Sequence, residues 1–517
     1  MSKLMRAALA MASVCAIAVA FSAGASASGQ DSTLYSVAFN NPNGLPANVD
    51  QIVAKAGGTI MTRIPEIGGI GVQSSNPNFV SAIQADNSVK AAGVAVATSI
   101  PESNGLTADS GSDNNGGTYS PTGPDTQAMP DPLGYEQWDK KKMDATTTGS
   151  YAVQQGRKDV RVFVVDTGVD QTHPDIAPNL DVADSRSFVP SEPTIQDFNG
   201  HGTWTASAVA APINGIGISG VAPNVTLVEG KVLSGAGSGE FLWLDEAMVY
   251  AGLMHFDVVS ASLGGYIPKC GSQANPNGCD HPDYILLNRA TQFARSNGVL
   301  PVGALGNDGF DLAAGSVFKD YVEAPGTMPG WVGVSATGYN DGKAFYSNYG
   351  DGAVDVSAPG GSTRDYSGVP GGATCDGHGG LCRLIGAWSS TGNQAEVSNP
   401  FEDCTGYTGT PPCPEYGYVQ GTSMATPNAA GVAALIISQY GDFTPNNQNK
   451  PHMSPTAVEQ VLEDSANNQP CPTPNTVTQG PGFAFPTATC TGGTGFNNFF
   501  GKGIVDALNA VTYFNNK

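Results

Sequence analysis

Between residues 34 and 100 the apolar positions alternate between two periods. The stretches "LYSVAF", "TIMTRIP", "GIGVQSS" and "VAVATSI" are short and β-branched, as strands are, whereas "NVDQIVAKAG" and "NFVSAIQADNSVKAAG" repeat apolar residues three and four apart, as helices do. The order strand, helix, strand, strand, helix, strand predicts a small α+β unit of the split β-α-β, ferredoxin-like kind. Residues 101–130, "PESNGLTADSGSDNNGGTYSPTGPDTQAMP", carry almost no apolar content and read as a linker. From about Asp159 the pattern changes again. "VRVFVVD", "NVTLVEGKV", "DVVSASLG", "LPVGALGN", "WVGVSAT" and "AVDVSAPG" are near-continuous apolar runs, and they alternate with the helical stretches "TASAVAAPI", "LDEAMVYAGLM", "LLNRATQFARSNG" and "TPNAAGVAALIISQYG". Strands apolar on both sides and separated by helices predict a mostly parallel sheet covered on both faces, an α/β three-layer sandwich. In such sheets ligands and chemistry gather at the carboxyl ends of the strands.

The first residues change the picture of where the chain works. "MSKLMRAALAMASVCAIAVAFSAGASASGQ" has Lys3 and Arg6, an apolar and small-residue run, then "ASAS", which predicts a secretory signal over 1–27 cleaved after Ala27. No later run reaches the roughly 18 apolar residues of a spanning helix, so no membrane attachment is expected after signal removal. A net charge of −22 disfavours nucleic acid and anionic lipid, both of which need a concentrated positive field. Of nine cysteines, Cys15 leaves with the signal. The remaining eight fall into neighbours, Cys270 with Cys279, Cys375 with Cys382, Cys404 with Cys413 and Cys471 with Cys490, and local disulfides are expected in an exported chain.

"VFVVDTGVD" ends a predicted strand on Asp166 and admits two chemistries. An aspartic protease sets a catalytic carboxylate in such an Asp-Thr-Gly turn, and Asp109-Ser110-Gly111 offers a second half. That partner falls in the linker, where a carboxylate cannot be held rigidly enough to share one proton. The other chemistry uses the Asp to orient a histidine. His201 opens a small-residue helix in "DFNGHGTWTASAVAA", and Ser423 opens another in "VQGTSMATPNAAGVAALI". A hydroxyl needs a neighbouring base, an imidazole suits that task near neutral pH, and a buried carboxylate fixes its tautomer. The Ser423 amide at a helix start favours an adjacent anion, and Asn307 in "VGALGNDG" is placed to give a second oxyanion donor. Each residue alone also fits a cap or turn; together, in this order and at element boundaries, they form a catalytic set.

"VFVVDTGVDQTHPDI", "NGHGT", "SLGG", "ALGND" and "GTSMATPNAAG" closely resemble the signature blocks of the subtilisin-like serine proteases, from about Met129 to "GKGIVDALNAV". The resemblance implies a peptidase domain over 131–517 with Asp166, His201 and Ser423 as triad and Asn307 with the Ser423 amide as oxyanion hole. It implies a propeptide over 28–100 that chaperones and inhibits the enzyme and is cut off by it, with 101–130 as the processing linker. Substrate would meet Ser262, Leu263 and Gly264 on one wall, Ala304, Leu305 and Gly306 on the other, and an edge strand around Gly235 and Gly237. Two positions depart from the family pattern. Trp204 and Asn428 stand where histidines are common, which bears on packing rather than on a reacting atom. Residues 361–418 are an insertion with four cysteines, placed to shape or cover the cleft.

The chemistry expected needs no cofactor. A structural calcium is a further expectation at Asp175 in "HPDI", where one carboxylate falls well short of the about six to eight oxygens calcium takes. Asp308, beside Asn307, either attracts a basic side chain or marks an Asn-Asp-Gly turn. The expected product is a secreted, monomeric serine endopeptidase acting on proteins and peptides, with its own propeptide as inhibitor. An inert relative that only binds peptide is the non-enzymatic alternative, and occupied chemical positions argue against it.

Overall fold

The computed structural model describes residues 32–101, 128–268, 281–313, 320–362, 382–392, 398–444, 452–479 and 487–515. Strands β1 (Thr33–Phe39), β2 (Gly58–Ile64), β3 (Gly69–Ser74) and β4 (Val89–Val94) form a sheet in the order β2-β3-β1-β4. Every neighbouring pair is antiparallel. Helices Val49–Ala56 and Phe79–Ile83 cover one face, closing a core of Val37, Phe39, Ile52, Val72 and Phe79. This is the expected ferredoxin-like unit, with one correction. The second helix, expected over 78–93, stops at Ile83 because Asp86 takes the chain out of it: its carboxylate accepts the Ser88 N–H at 2.9 Å and hydroxyl at 2.6 Å. Such a local turn competes with helix, and the freed residues 89–94 become β4. The last stretch, expected as one strand, supplies the end of β4 and then β5 (Ala97–Ser99), which leaves the sheet.

The second region is built on a seven-stranded sheet. Its strands are β6 (Arg161–Asp166), β7 (Arg186–Ser187), β8 (Thr226–Lys231), β10 (Val258–Ala261), β12 (Leu300–Ala304), β14 (Val332–Thr337) and β15 (Val356–Pro359). They run β15-β14-β12-β10-β6-β8-β7, each pair parallel. β9 (Ser238–Glu240) lies outside it, and β11 (Gly265–Pro268) pairs antiparallel with β13 (Tyr321–Ala324). The alternation along β6 divides the core in two. Val162 and Val164 pack with helices His201–Ala210 and Thr422–Tyr440, and Phe163 and Val165 with helices Phe241–Leu253 and Pro282–Ser296. Ala38, Ile64 and Ala91 of the small sheet join this second core, so the N-terminal unit sits on the two outer helices. Arg289 fixes it there, donating to the Ile67 and Phe39 carbonyls at 2.9 and 3.0 Å.

The described part of the insertion is a sheet in the order β16-β18-β17, with β16 (Leu384–Trp388), β17 (Ser398–Glu402) and β18 (Glu415–Val419) antiparallel. It packs on the helix that starts at His201. Trp204 of that helix lies over Gly386, where a methyl group would come within 2.3 Å of Nε1; Trp388 lies over Gly200, where one would come within 2.2 Å of Cε2. The Trp204 indole N–H also donates to the Gly417 carbonyl at 3.2 Å. Asn428, the other departure, is buried on a buried ion pair, accepting from Lys140 at 2.6 Å while Lys140 pairs with Asp139 at 2.8 Å. Both departures are thus packing features. Disulfides Cys404–Cys413 and Cys471–Cys490 match the local pairing expected, and Cys382 is disulfide-bonded; Cys270, Cys279 and Cys375 lie outside the described residues. No helix among the described residues is long and apolar enough to cross a membrane.

Candidate active site

β6 delivers Asp166 at its carboxyl end, fully buried, and the helix that follows in sequence begins on His201. His201 Nδ1 and Asp166 Oδ1 are 2.7 Å apart. The same carboxylate accepts the Thr167 N–H at 2.7 Å and the Thr205 hydroxyl at 3.1 Å, so its orientation is fixed from three sides. Thr205 is one helical turn beyond His201, which makes the pairing a property of the helix itself.

The turn before His201 is held by a residue that the Asp, His and Ser motifs do not include. Asp197 is fully buried and accepts from Asn199 N, Gly200 N, Thr203 N, Thr203 Oγ1 and Thr167 Oγ1 at 2.7 to 3.0 Å. It satisfies orphan donors of the helix start and ties them to the Asp166 turn. Gly200 has φ of +110°, a conformation that suits glycine, beneath the Trp388 ring. The insertion adds its own brace: Ser390 donates to Asp170 Oδ2 from its N–H at 3.1 Å and its hydroxyl at 2.8 Å, and Ser389 Oγ donates to the Asp197 carbonyl at 2.8 Å. The described insertion therefore backs the turns that carry Asp166 and His201. The signal for Asp197 was present in "DFNGHGT", an acid four residues before the histidine.

Ser423 is the second residue of the helix Thr422–Tyr440, buried, with its hydroxyl donating to the Ser262 carbonyl at 3.3 Å. The Ser262 hydroxyl returns a bond to the Ser423 carbonyl at 2.7 Å. This helix packs against the one starting at His201. Asn307 follows β12, and its Oδ1 accepts both the Thr422 N–H and hydroxyl at 2.9 Å. With the carbonyl end committed to Thr422, the NH2 end of Asn307 is turned away from it. Gly306, at φ of +89°, gives its N–H to the Thr422 hydroxyl at 3.1 Å, locking the wall Ala304-Leu305-Gly306 to the serine helix.

A peptide strand already lies in the groove. β5 pairs antiparallel with β9, Ala97 against Glu240 and Ser99 against Ser238. On its other edge Ser99 exchanges both backbone bonds with Gly264, at 3.1 and 3.0 Å, and Ile100 N donates to the Gly237 carbonyl at 2.9 Å. Gly237 and, of the wall Ser262-Leu263-Gly264, Gly264 thus meet this strand. Gly235 does not; its N–H goes to Glu192 at 3.0 Å and its carbonyl to Asn199 at 3.3 Å.

Asp175 lies apart from this groove. Its Oδ2 accepts from Ile218 N at 3.1 Å and Tyr416 Oη at 2.8 Å, and Oδ1 from Asn214 Nδ2 at 3.3 Å. Burial pushes its carboxyl up to about 7 despite those donors. A carboxylate enclosed by donors does not fit a calcium cage, which needs oxygens turned inward. No three His, Cys, Asp or Glu side chains among the described residues gather as metal ligands. Asp109 lies outside the described residues, while Asp166 is engaged with His201. Asp308 accepts from the Tyr266 hydroxyl at 2.7 Å.

Comparison with known proteins agrees with this geometry. The chain is 33% identical over 300 residues to Subtilisin NAT of Bacillus subtilis subsp. natto, a match covering 58% of this chain and 60% of that protein. It is 33% identical to Subtilisin of Bacillus pumilus, of which 84% is covered. In fold, it superposes on the crystal structure of the epidermin leader peptide processing serine protease of Staphylococcus aureus with a TM-score of 0.66 at 22% identity, over 94% of this chain and 99% of that one. The match thus spans about three fifths of the length of the first of these relatives. Residues 157–503 match the model of the subtilase family, Peptidase S8, and the chain belongs to that family.

Proposed function

We propose that the chain is a serine endopeptidase made as a precursor, exported, and opened by its own activity. The observation that carries this is one arrangement: His201 bonded to Asp166 at 2.7 Å, Ser423 on the first turn of a packed helix, and a peptide strand lying antiparallel along the same groove. In this reading Ser423 Oγ attacks the peptide carbonyl carbon as His201 accepts its proton. The tetrahedral oxyanion is held by the Ser423 N–H and the Asn307 side chain. The C–N bond then breaks, His201 returns the proton to the leaving amine, and water repeats the sequence on the acyl-enzyme. Asp166 holds the histidine tautomer and stabilises the imidazolium.

Residues 28–100 act as the inhibiting and chaperoning propeptide. Support comes from β5, which occupies both edges that a substrate strand would use. The mature enzyme is a monomer in the extracellular medium that takes protein or peptide substrates and needs no cofactor for chemistry. The aspartic alternative has no support beyond the Asp-Thr-Gly triplet. The test is labelling by a fluorophosphonate probe, mapped by mass spectrometry. Adduct at Ser423 is expected, with Ser423→Ala unlabelled, reduced in turnover by about 10⁶ and left as precursor uncut within 101–130. Labelling elsewhere, or normal conversion of Ser423→Ala expressed alone, overturns the proposal.

A further inference from the structure

Glu323 has no part in the mechanism above, yet it lies against both walls of the groove. It sits on β13, where pairing with β11 sets Glu323 opposite Tyr266 and Ala324 opposite Gly265. A methyl group built on Gly264 would come within 2.6 Å of Glu323 Oε1, and one on Gly306 within 3.8 Å of the same oxygen. One on Gly326 would come within 3.0 Å of Oε2. The carboxylate thus fills the space left by glycines from Ser262-Leu263-Gly264 and from Ala304-Leu305-Gly306. It is 4% exposed, and Oε2 accepts no hydrogen bond among the described residues.

The charged group that acts on it there is a second acid, Asp308, bonded to the Tyr266 hydroxyl; no lysine or arginine among the described residues faces either carboxyl. Burial, and then the neighbouring Asp308, holds the Glu323 carboxyl well above the usual carboxylate range. An uncompensated acid in this position is expensive for the fold, and a cation entering from the groove removes that cost.

We infer that Glu323, assisted by Asp308, selects lysine or arginine as the residue preceding the scissile bond. This rests on the peptidase reading of the same groove. The backbone of Gly264 pairs with Ser99 and that of Gly237 with Ile100, so the next residue of a bound strand passes Gly264 toward Ser423, and its side chain enters between the two walls above Glu323. A long cationic side chain reaching that carboxylate makes a charge-assisted bond in a dry site, and an apolar one leaves the acid unpaired. Asp308 was visible in the sequence as an acid beside Asn307, but the deeper acid is the one whose oxygens face the glycine walls. Residues 102–130 contain neither lysine nor arginine. The linker therefore gives this pocket no anchor, and its opening depends on the seated strand instead.

The experiment compares kcat/KM on one peptide series that differs only in the residue before the cut, with arginine, lysine, leucine and phenylalanine. Active sites are counted by fluorophosphonate titration in wild type, Glu323→Gln and Glu323→Asp. Arginine and lysine are expected to exceed leucine by on the order of 100-fold in the wild type. That ratio should collapse in Glu323→Gln and return in part in Glu323→Asp. With basic substrates the wild-type KM should also fall as pH rises and Glu323 ionises. A wild type that labels at Ser423 but cleaves after leucine or phenylalanine as well as after arginine overturns the inference and leaves the peptidase reading standing. So does an unchanged ratio in Glu323→Gln. Absence of labelling instead removes the reading beneath it.

Discussion

Two carboxylates, Asp197 and Glu323, are buried to nearly the same degree, at 0% and 4% exposure, and differ in everything else. Asp197 takes four donors from the turn and helix start that carry His201 and a fifth from Thr167 of the Asp166 turn. Glu323 has an oxygen with no donor among the described residues and a second acid as neighbour. A buried carboxylate saturated by backbone N–H groups and hydroxyls is framework, because the protein supplies every bond it needs. One left unsaturated against glycines beside a groove is a receptor, because the missing partner has a place from which to arrive. Burial alone does not separate the two; the donor list does.

The sharpest way to break that contrast is to remove both acids. Asp197→Ala strips five hydrogen bonds from a buried junction between two turns, and a loss of about 3–5 kcal/mol in unfolding free energy is expected by denaturant titration. Activity should fall with it, since His201 loses its turn. Glu323→Ala removes a buried acid with one oxygen unsatisfied among the described residues and should leave the unfolding free energy equal or higher. Equal destabilisation by the two would erase the distinction. Next in size is Asn307→Ala, expected to lower kcat by roughly 10²–10³ with little change in KM, as follows from the proposed role of its side chain as a donor to charge that develops only in the transition state. A matching rise in KM would make Asn307 a ground-state contact.

The smallest effect concerns the N-terminal unit. Burial, and then Asp283, pushes Glu240 up to about 7, and Glu240 lies on β9 where β5 pairs. Asp283 itself faces His281 at 3.2 Å, accepts from Val96 N at 3.0 Å and is bonded by the Ser36 hydroxyl. Asp245, raised well above its usual range by burial, Asp283 and Glu246, lies on the adjoining helix. Where release of the unit rehydrates Glu240, its carboxyl returns toward 4.5. A carboxyl raised in the assembled state stabilises assembly fully below its free value and loses that contribution as pH rises through about 7. Hydrogen exchange of residues 32–101 in the uncut Ser423→Ala precursor should therefore show weaker protection at pH 8 than at pH 5, by about 10-fold. Protection that is flat or rises with pH would remove Glu240 as the cause.

Much of this was readable in the chain, for definite reasons. β6 was legible because four apolar residues in a row can only be buried on two faces, and Val162 and Val164 do part from Phe163 and Val165. Asp166, His201 and Ser423 were legible because each stands at an element boundary in a motif with a chemical use. The helix over 78–93 was overextended because Ala and Val spacing continues past Ile83, while the bond from Ser88 to Asp86 that ends it depends on a turn no periodicity reports. Glu323 was not legible. "YVEAPG" is an ordinary strand end until β11 pairs with β13 and brings it against Gly264. Gly235 and Gly237 looked alike in "SGAGSG", and only the register of β5 tells that the second meets the strand.

The reciprocal seating of Trp204 over Gly386 and Trp388 over Gly200 has a consequence for how this protein can be taken apart and recombined. Each tryptophan occupies the volume that its glycine lacks, and the two glycines belong to the opposite elements. The histidine helix and the insertion are therefore a matched pair of parts. A chimera that receives β16 without Gly200 and Trp204 inherits a ring with no seat, and one that receives the helix without Gly386 inherits the converse. Transfer between relatives should succeed only when all four positions travel together.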